Sequence, residues 1–109
     1  SAAHRLFNPD FEDARNWEVY DKCNNPNGHG HNYELDVIVK GVPDARTGMV
    51  VDLAKLDEAV HRLIVERVDH KHLNHDVPML AGVNPTAENL AVRFFEVLRE
   101  AIPGPGALH

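Results

Sequence analysis

His29-Gly30-His31-Asn32-Tyr33-Glu34-Leu35-Asp36-Val37-Ile38-Val39 is the stretch whose reading decides the fold. From Tyr33 onward the apolar residues Tyr33, Leu35, Val37 and Val39 alternate with Glu34 and Asp36, and only Ile38 interrupts them. A period of two sends successive side chains to opposite faces, so the pattern predicts a half-buried antiparallel strand over 33–39. Both histidines stand directly before that strand. In an extended chain, residues i and i+2 point to the same side with Cα atoms roughly 6.5–7 Å apart, so the two imidazoles can converge on one ion. Gly30 between them is expected to keep bulk away from the opposite side.

Downstream, Pro43-Asp44-Ala45-Arg46-Thr47-Gly48 is dense in turn formers and Met49-Val50-Val51 is β-prone, which predicts a hairpin pairing with the first strand. Leu53, Leu56, Val60, Leu63, Ile64 and Val68 recur at three and four, the stripe of a helix over 53–68, with Asp52 as its N-cap. Asn84-Pro85-Thr86-Ala87-Glu88 is a helix start with Pro at an early position, and Leu90, Ala91, Phe94, Phe95, Leu98 and Ile102 carry the second helix to about Ala101, with Pro103 as its stop. Between them, 69–83 reads as a loop of the kind that carries chemistry. Upstream, Ala2-Ala3-His4-Arg5-Leu6 reads as a strand with His4 facing inward, while 10–20 permits a short helix or an ordered loop. Strands and helices segregated in this way predict an α+β domain, two helices on one face of an antiparallel sheet. A sheet of so few strands exposes an edge and a face, which invites assembly.

The 109 residues suffice for one domain, 1–109, and one core. A net charge of −6 with scattered Lys and Arg argues against a grip on nucleic acid, although a few local cations can still hold a small phosphorylated molecule. No apolar run reaches the roughly 20 residues that span a bilayer, and the first residues hold no hydrophobic signal core, so a cytoplasmic protein is expected. The one cysteine, Cys23, has no internal disulfide partner, which fits a reducing compartment. The first residues read as the inside of a strand, and Pro103-Gly104-Pro105-Gly106-Ala107-Leu108-His109 as a connection onward, so the chain is expected to be trimmed at both ends.

His29 and His31, with His4 as a third nitrogen donor, form a candidate three-histidine metal site with an open position. Imidazoles favour zinc over magnesium or calcium and leave copper, nickel and iron(II) open. Cys23 lies among turn formers in Lys22-Cys23-Asn24-Asn25-Pro26-Asn27-Gly28, and beside a dication its thiolate is favoured. It is a base, a nucleophile or a fourth ligand. Asp69 and His70 adjoin at a helix end, where a carboxylate fixes the tautomer of an imidazole and raises its basicity. His61 is read as structural, and His72 and His75 as loop histidines.

Together, Ser1-Ala2-Ala3-His4-Arg5-Leu6, Cys23-Asn24-Asn25-Pro26-Asn27-Gly28-His29-Gly30-His31-Asn32-Tyr33, Asp69-His70-Lys71-His72-Leu73-Asn74 and Pro85-Thr86-Ala87-Glu88-Asn89 resemble the 6-pyruvoyl-tetrahydropterin synthase family in order and spacing. The resemblance implies the tunnelling fold, with trimers closing barrels, two trimers stacked as a homohexamer, and active sites between subunits. It implies that His4, His29 and His31 bind zinc, that Cys23 is the proton-abstracting base, and that Asp69 and His70 are the partner acid/base pair. Thr86 and Glu88 match a motif near the bound pterin. The implied substrate is 7,8-dihydroneopterin triphosphate, converted to 6-pyruvoyl-tetrahydropterin plus triphosphate without an external redox cofactor. The family's last strand, with its pterin-anchoring glutamate, is expected beyond His109.

Two rivals accompany this reading. The related 6-carboxy-tetrahydropterin synthase of queuosine biosynthesis takes the same substrate, but the Asn-Asn-Pro-Asn-Gly run between Cys23 and His29 looks more like the pyruvoyl-forming enzyme. The other is a non-catalytic module in which Cys23 closes a structural zinc site with the three histidines.

Overall fold

A computed structural model describes residues 1–101 and the backbone of Ala107–Leu108. Strand β1 (Ala2–His4) pairs antiparallel with β2 (His29–His31), with Ala2 opposite His31, Ala3 opposite Gly30 and His4 opposite His29. The stretch after α3 docks on the other edge of β1: Ala3 N–H donates to Lys71 O at 3.0 Å and Leu73 N–H to Ala3 O at 2.7 Å. The first strand is therefore held between the His-Gly-His segment and the 71–73 segment, which brings three distant parts of the sequence to one place.

Helix α1 (Asp13–Tyr20) resolves the ambiguous 10–20 stretch as helical and runs into a 3-10 turn, Asp21–Asn24, that carries Cys23. The helix expected over 53–68 forms as α2 (Leu53–Val60), a π-helical stretch (His61–Val65) and α3 (Glu66–Val68). Asp52 caps it, its Oδ1 accepting from Ala54 N–H at 3.0 Å and Lys55 N–H at 3.3 Å, a contribution of about 1 kcal/mol. The wider π turn changes which side chains face in: Ala59 and Ile64, five apart, are buried, whereas Leu63 is half-buried and Leu53 faces solvent. His61, read as structural, is exposed. Helix α4 (Ala87–Ala101) buries Leu90 and Leu98. The expected end of its stripe at Ile102 and its stop at Pro103 lie outside the described residues. Its start also differs from the sequence reading. Pro85 precedes the helix, and Thr86 caps it with Oγ1 accepting from Asn89 N–H at 3.2 Å.

The core gathers Ala2, Leu73, Val77, Leu80 and Leu90, with Val68, Met79 and Phe94 packed against it. The irregular 69–83 stretch thus supplies core side chains as well as polar ones, and a 3-10 turn, Pro78–Leu80, sets Leu80 in place. Each such large side chain contributes about 1.5–3 kcal/mol on burial.

The strand reading is corrected in part. Residues 33–38 make no ladder among the described residues, and only β3 (Val39–Lys40) pairs, antiparallel with β4 (Ala107–Leu108). The expected hairpin also fails to extend past its tip. Asp44 Oδ1 accepts from Arg46 N–H at 2.7 Å and Thr47 N–H at 3.2 Å, Asp44 O from Gly48 N–H at 2.7 Å, and Met49 O from Asp44 N–H at 2.9 Å. A carboxylate that takes the backbone donors of its own turn leaves a closed loop, and 49–51 continues as a bend toward α2. The domain is nonetheless α+β with antiparallel pairing throughout its two small sheets.

Candidate active site

His4 ends β1 and is only 5% exposed. Burial is the main force holding its imidazole below the ordinary titration range; the Pro85 carbonyl opposes that shift, and His31, His29 and His72 reinforce it. The His4 Nδ1 atom lies 3.0 Å from Pro85 O and 2.9 Å from Tyr33 Oη. A carbonyl oxygen only accepts, so Nδ1 carries the proton and Nε2 is left with a free lone pair. That lone pair faces His31 Nε2 at 2.9 Å. The Cys23 sulfur lies 3.9 Å from the same His31 nitrogen. Donor atoms of His4, Cys23 and His31 all fall within 4.8 Å of one another. Two imidazole nitrogens and a thiol at this separation fit a zinc ion, whose bonds run to about 2.0–2.3 Å, and the outer partners of His4 are those that orient a metal-binding imidazole.

His29 stands outside that set. It is directly opposite His4 in the β1–β2 register, and its ring meets His31 edge-on with centroids 4.5 Å apart. Gly30 does not act as expected: a Cβ there would meet nothing within 4 Å. The crowded glycine is Gly28, at φ +90°, where a Cβ would come within 2.7 Å of His72 Nε2.

After α3 the chain turns sharply, and His70 adopts φ +59°, a left-handed backbone uncommon for a side-chain-bearing residue. Its Nδ1 lies 3.1 Å from Asp69 Oδ2, and its side chain is 80% exposed. Asp69 thus orients His70 with Nε2 directed away from the carboxylate. His31, Asn32, His70, Lys71 and His72 line one open basin of about 550 Å³. Cys23 and His4 are not part of its lining, nor are Thr86 and Glu88. Thr86 instead caps α4, and Glu88 is exposed on the first turn of that helix.

Sequence reasoning missed Tyr33 and the Pro85 carbonyl as partners of His4. Tyr33 carried a signal, since it sits two residues past His31 on the alternating pattern and so shares its side. His72 is more than a loop residue, because it bridges to Ala3 and packs against Gly28.

The family model described as 6-pyruvoyl tetrahydropterin synthase matches residues 1–109. A Drosophila melanogaster protein named 6-pyruvoyl tetrahydrobiopterin synthase is 46% identical over 109 residues, which is 100% of this chain and 65% of the relative. A Poecilia reticulata protein of the same name is 48% identical over 103 residues, 94% of this chain and 70% of the relative. The chain therefore spans about two thirds of the length of these curated relatives. The solved structure of Caenorhabditis elegans 6-pyruvoyl tetrahydropterin synthase superposes with a TM-score of 0.77 at 41% identity, covering 95% of this chain and 74% of that one.

Proposed function

The chain belongs to the 6-pyruvoyl tetrahydropterin synthase family, and on that premise we propose that it is a lyase converting 7,8-dihydroneopterin triphosphate to 6-pyruvoyl-tetrahydropterin with release of triphosphate. The observation that carries this reading is the convergence of His4, His31 and Cys23 donor atoms within 4.8 Å, beside a basin that His31 shares with His70. His4, His29 and His31 would hold zinc, His29 lying opposite His4 in the β1–β2 register. When bound, zinc supplies Lewis-acid stabilisation of negative charge that develops on substrate oxygens.

The remaining work falls to side chains. Cys23 as thiolate takes a proton from the substrate side chain, while His70, oriented by Asp69, returns one at the other side. Hydrogen moves within the substrate as triphosphate leaves, so no outside oxidant or reductant is required. Thr86 and Glu88 contribute near the pterin from the start of α4.

The same reading makes the chain a subunit of a homohexamer with sites between subunits. Exposed Tyr33, Leu35, Ile38 and Val42, along a stretch of which 33–38 makes no ladder among the described residues, support such assembly. A cytoplasmic location fits the free thiol of Cys23. Among the described residues no helix is long and apolar enough to cross a membrane.

A second reading rests on the presence of Cys23 itself in the close-set donor group, which suits a closed zinc site with no open position. Incubating the zinc-loaded protein with 7,8-dihydroneopterin triphosphate and weighing the products tests the proposal. A pyruvoyl product with free triphosphate supports it. A 6-carboxy product with acetaldehyde assigns the chain to the queuosine branch, and no product at all overturns the lyase reading.

A further inference from the structure

Arg5 follows His4 directly and bonds to two other segments of the site, one through Asn74 and one through Asn24. Its backbone is clamped on both sides by one side chain: Arg5 N–H donates to Asn74 Oδ1 at 2.7 Å, and Asn74 Nδ2 donates to Arg5 O at 2.9 Å. Asn74 lies on the stretch that begins with Asp69 and His70. The guanidinium reaches the other way, Nε donating to Asn24 O at 3.0 Å and Nη2 to Asn24 Oδ1 at 3.2 Å. Asn24 is 2% exposed and adjoins Cys23, whose own carbonyl accepts from Leu6 N–H at 2.6 Å. The guanidinium also lies over the Phe7 ring, 4.3 Å from its centroid, which holds its plane.

We propose that Arg5 is a positioning residue for Cys23: its two-pronged bond to Asn24 fixes the thiol-bearing turn against the strand that ends in His4. The proposal rests on the lyase reading for its consequence in turnover. The geometry calls for a guanidinium, because two donors in a fixed plane meet a carbonyl and an amide oxygen of the same residue, whereas a lysine ammonium is a point donor on a flexible stem. Among the described residues Arg5 is the side chain bonded to Asn24, and together with the Leu6 N–H bond to Cys23 O it sets the turn relative to His4 and His31. A shift of the sulfur of the order of an ångström is enough to slow a proton transfer about a hundredfold while leaving substrate binding intact.

The test is a double-mutant cycle of Arg5→Lys, Asn24→Ala and the double variant in the zinc-loaded full chain, reading kcat, KM, zinc content and the rate of Cys23 alkylation by iodoacetamide. Each single variant is expected to keep its zinc, to lower kcat about tenfold with KM within about twofold, and the double variant to be no slower than the slower single. Losses that multiply to about a hundredfold in the double variant would mean that the two residues act separately and would overturn the proposal. So would native kcat in either single variant, or a rise in KM alone. If the unsubstituted chain turns over no pterin, the lyase reading fails. The clamp is then judged on alkylation, where the same non-additive change is expected and an unchanged rate in all four proteins sinks it. Melting curves of the four proteins identify any variant that fails to fold, and Asn24→Asp, which keeps both acceptors, is expected to restore the native rate if the clamp is correct.

Discussion

His4 Nδ1 donates to the carbonyl of Pro85 at 3.0 Å, across 81 positions of sequence, and this one bond decides which nitrogen of His4 is free. The proton is fixed on Nδ1, so Nε2 faces His31 as a lone pair rather than as a donor. The Tyr33 hydroxyl shares the same Nδ1 at 2.9 Å.

Tyr33→Phe removes one of the two groups that orient this ring. Zinc affinity is expected to fall by about tenfold, at the lower end of what outer partners of metal-binding histidines contribute, because Pro85 remains. Competition with a chelating dye measures it, and an unchanged affinity would assign the orientation of His4 to Pro85 alone.

Two glycines two positions apart should respond differently to alanine. At Gly28 the backbone is left-handed and a Cβ would lie 2.7 Å from His72 Nε2, so Gly28→Ala is expected to destabilise the protein by about 1–3 kcal/mol. Gly30→Ala meets nothing within 4 Å and is expected to stay within about 0.5 kcal/mol of native stability. Denaturant melts of the two variants check the contrast.

Acid should weaken the metal-free protein. Burial holds both His4 and His72 below the ordinary histidine range, and His72 Nδ1 also accepts from Asn74 N–H at 3.3 Å, a bond that protonation would break. For His72, neighbouring His75 adds to the shift and Asp76 opposes it. The unfolded chain binds these protons near the ordinary histidine value of 6.5 while the folded chain resists them. Stability is therefore full above pH 6.5 and is lost as pH falls through the lowered folded values. Melting temperatures of chelator-treated protein across this range should drop on acidification, and His72→Gln should flatten the slope. An equal slope in the variant would remove His72 from the account.

Much of this molecule was legible because its signals are local. Asp52, the helix over 53–68 and the apolar face of α4 each lie within a few residues of what they specify, and all three formed, although Leu53 at the head of the first stripe faces solvent. The π turn at His61–Val65 carried no sequence mark, and with it Ile64 is buried as expected while Leu63 is only half-buried. Strands fared worse, since a ladder depends on a distant partner: the alternation from Tyr33 to Val39 was real, yet among the described residues only Val39–Lys40 found one. At the site, His4, His31 and Cys23 lie close together, whereas His29, the other histidine expected to bind zinc, falls outside that group. The Pro85 carbonyl has no side-chain signature, and the Arg5–Asn24 pair links segments that no spacing rule connects.

The lyase reading turns on the claim that Cys23 does chemistry beside the metal instead of holding it. Zinc content and triphosphate release measured on the same Cys23→Ala preparation test that claim most directly. The variant is expected to retain its zinc and to have lost turnover. A variant that loses its zinc along with its activity would contradict it and leave Cys23 as a ligand.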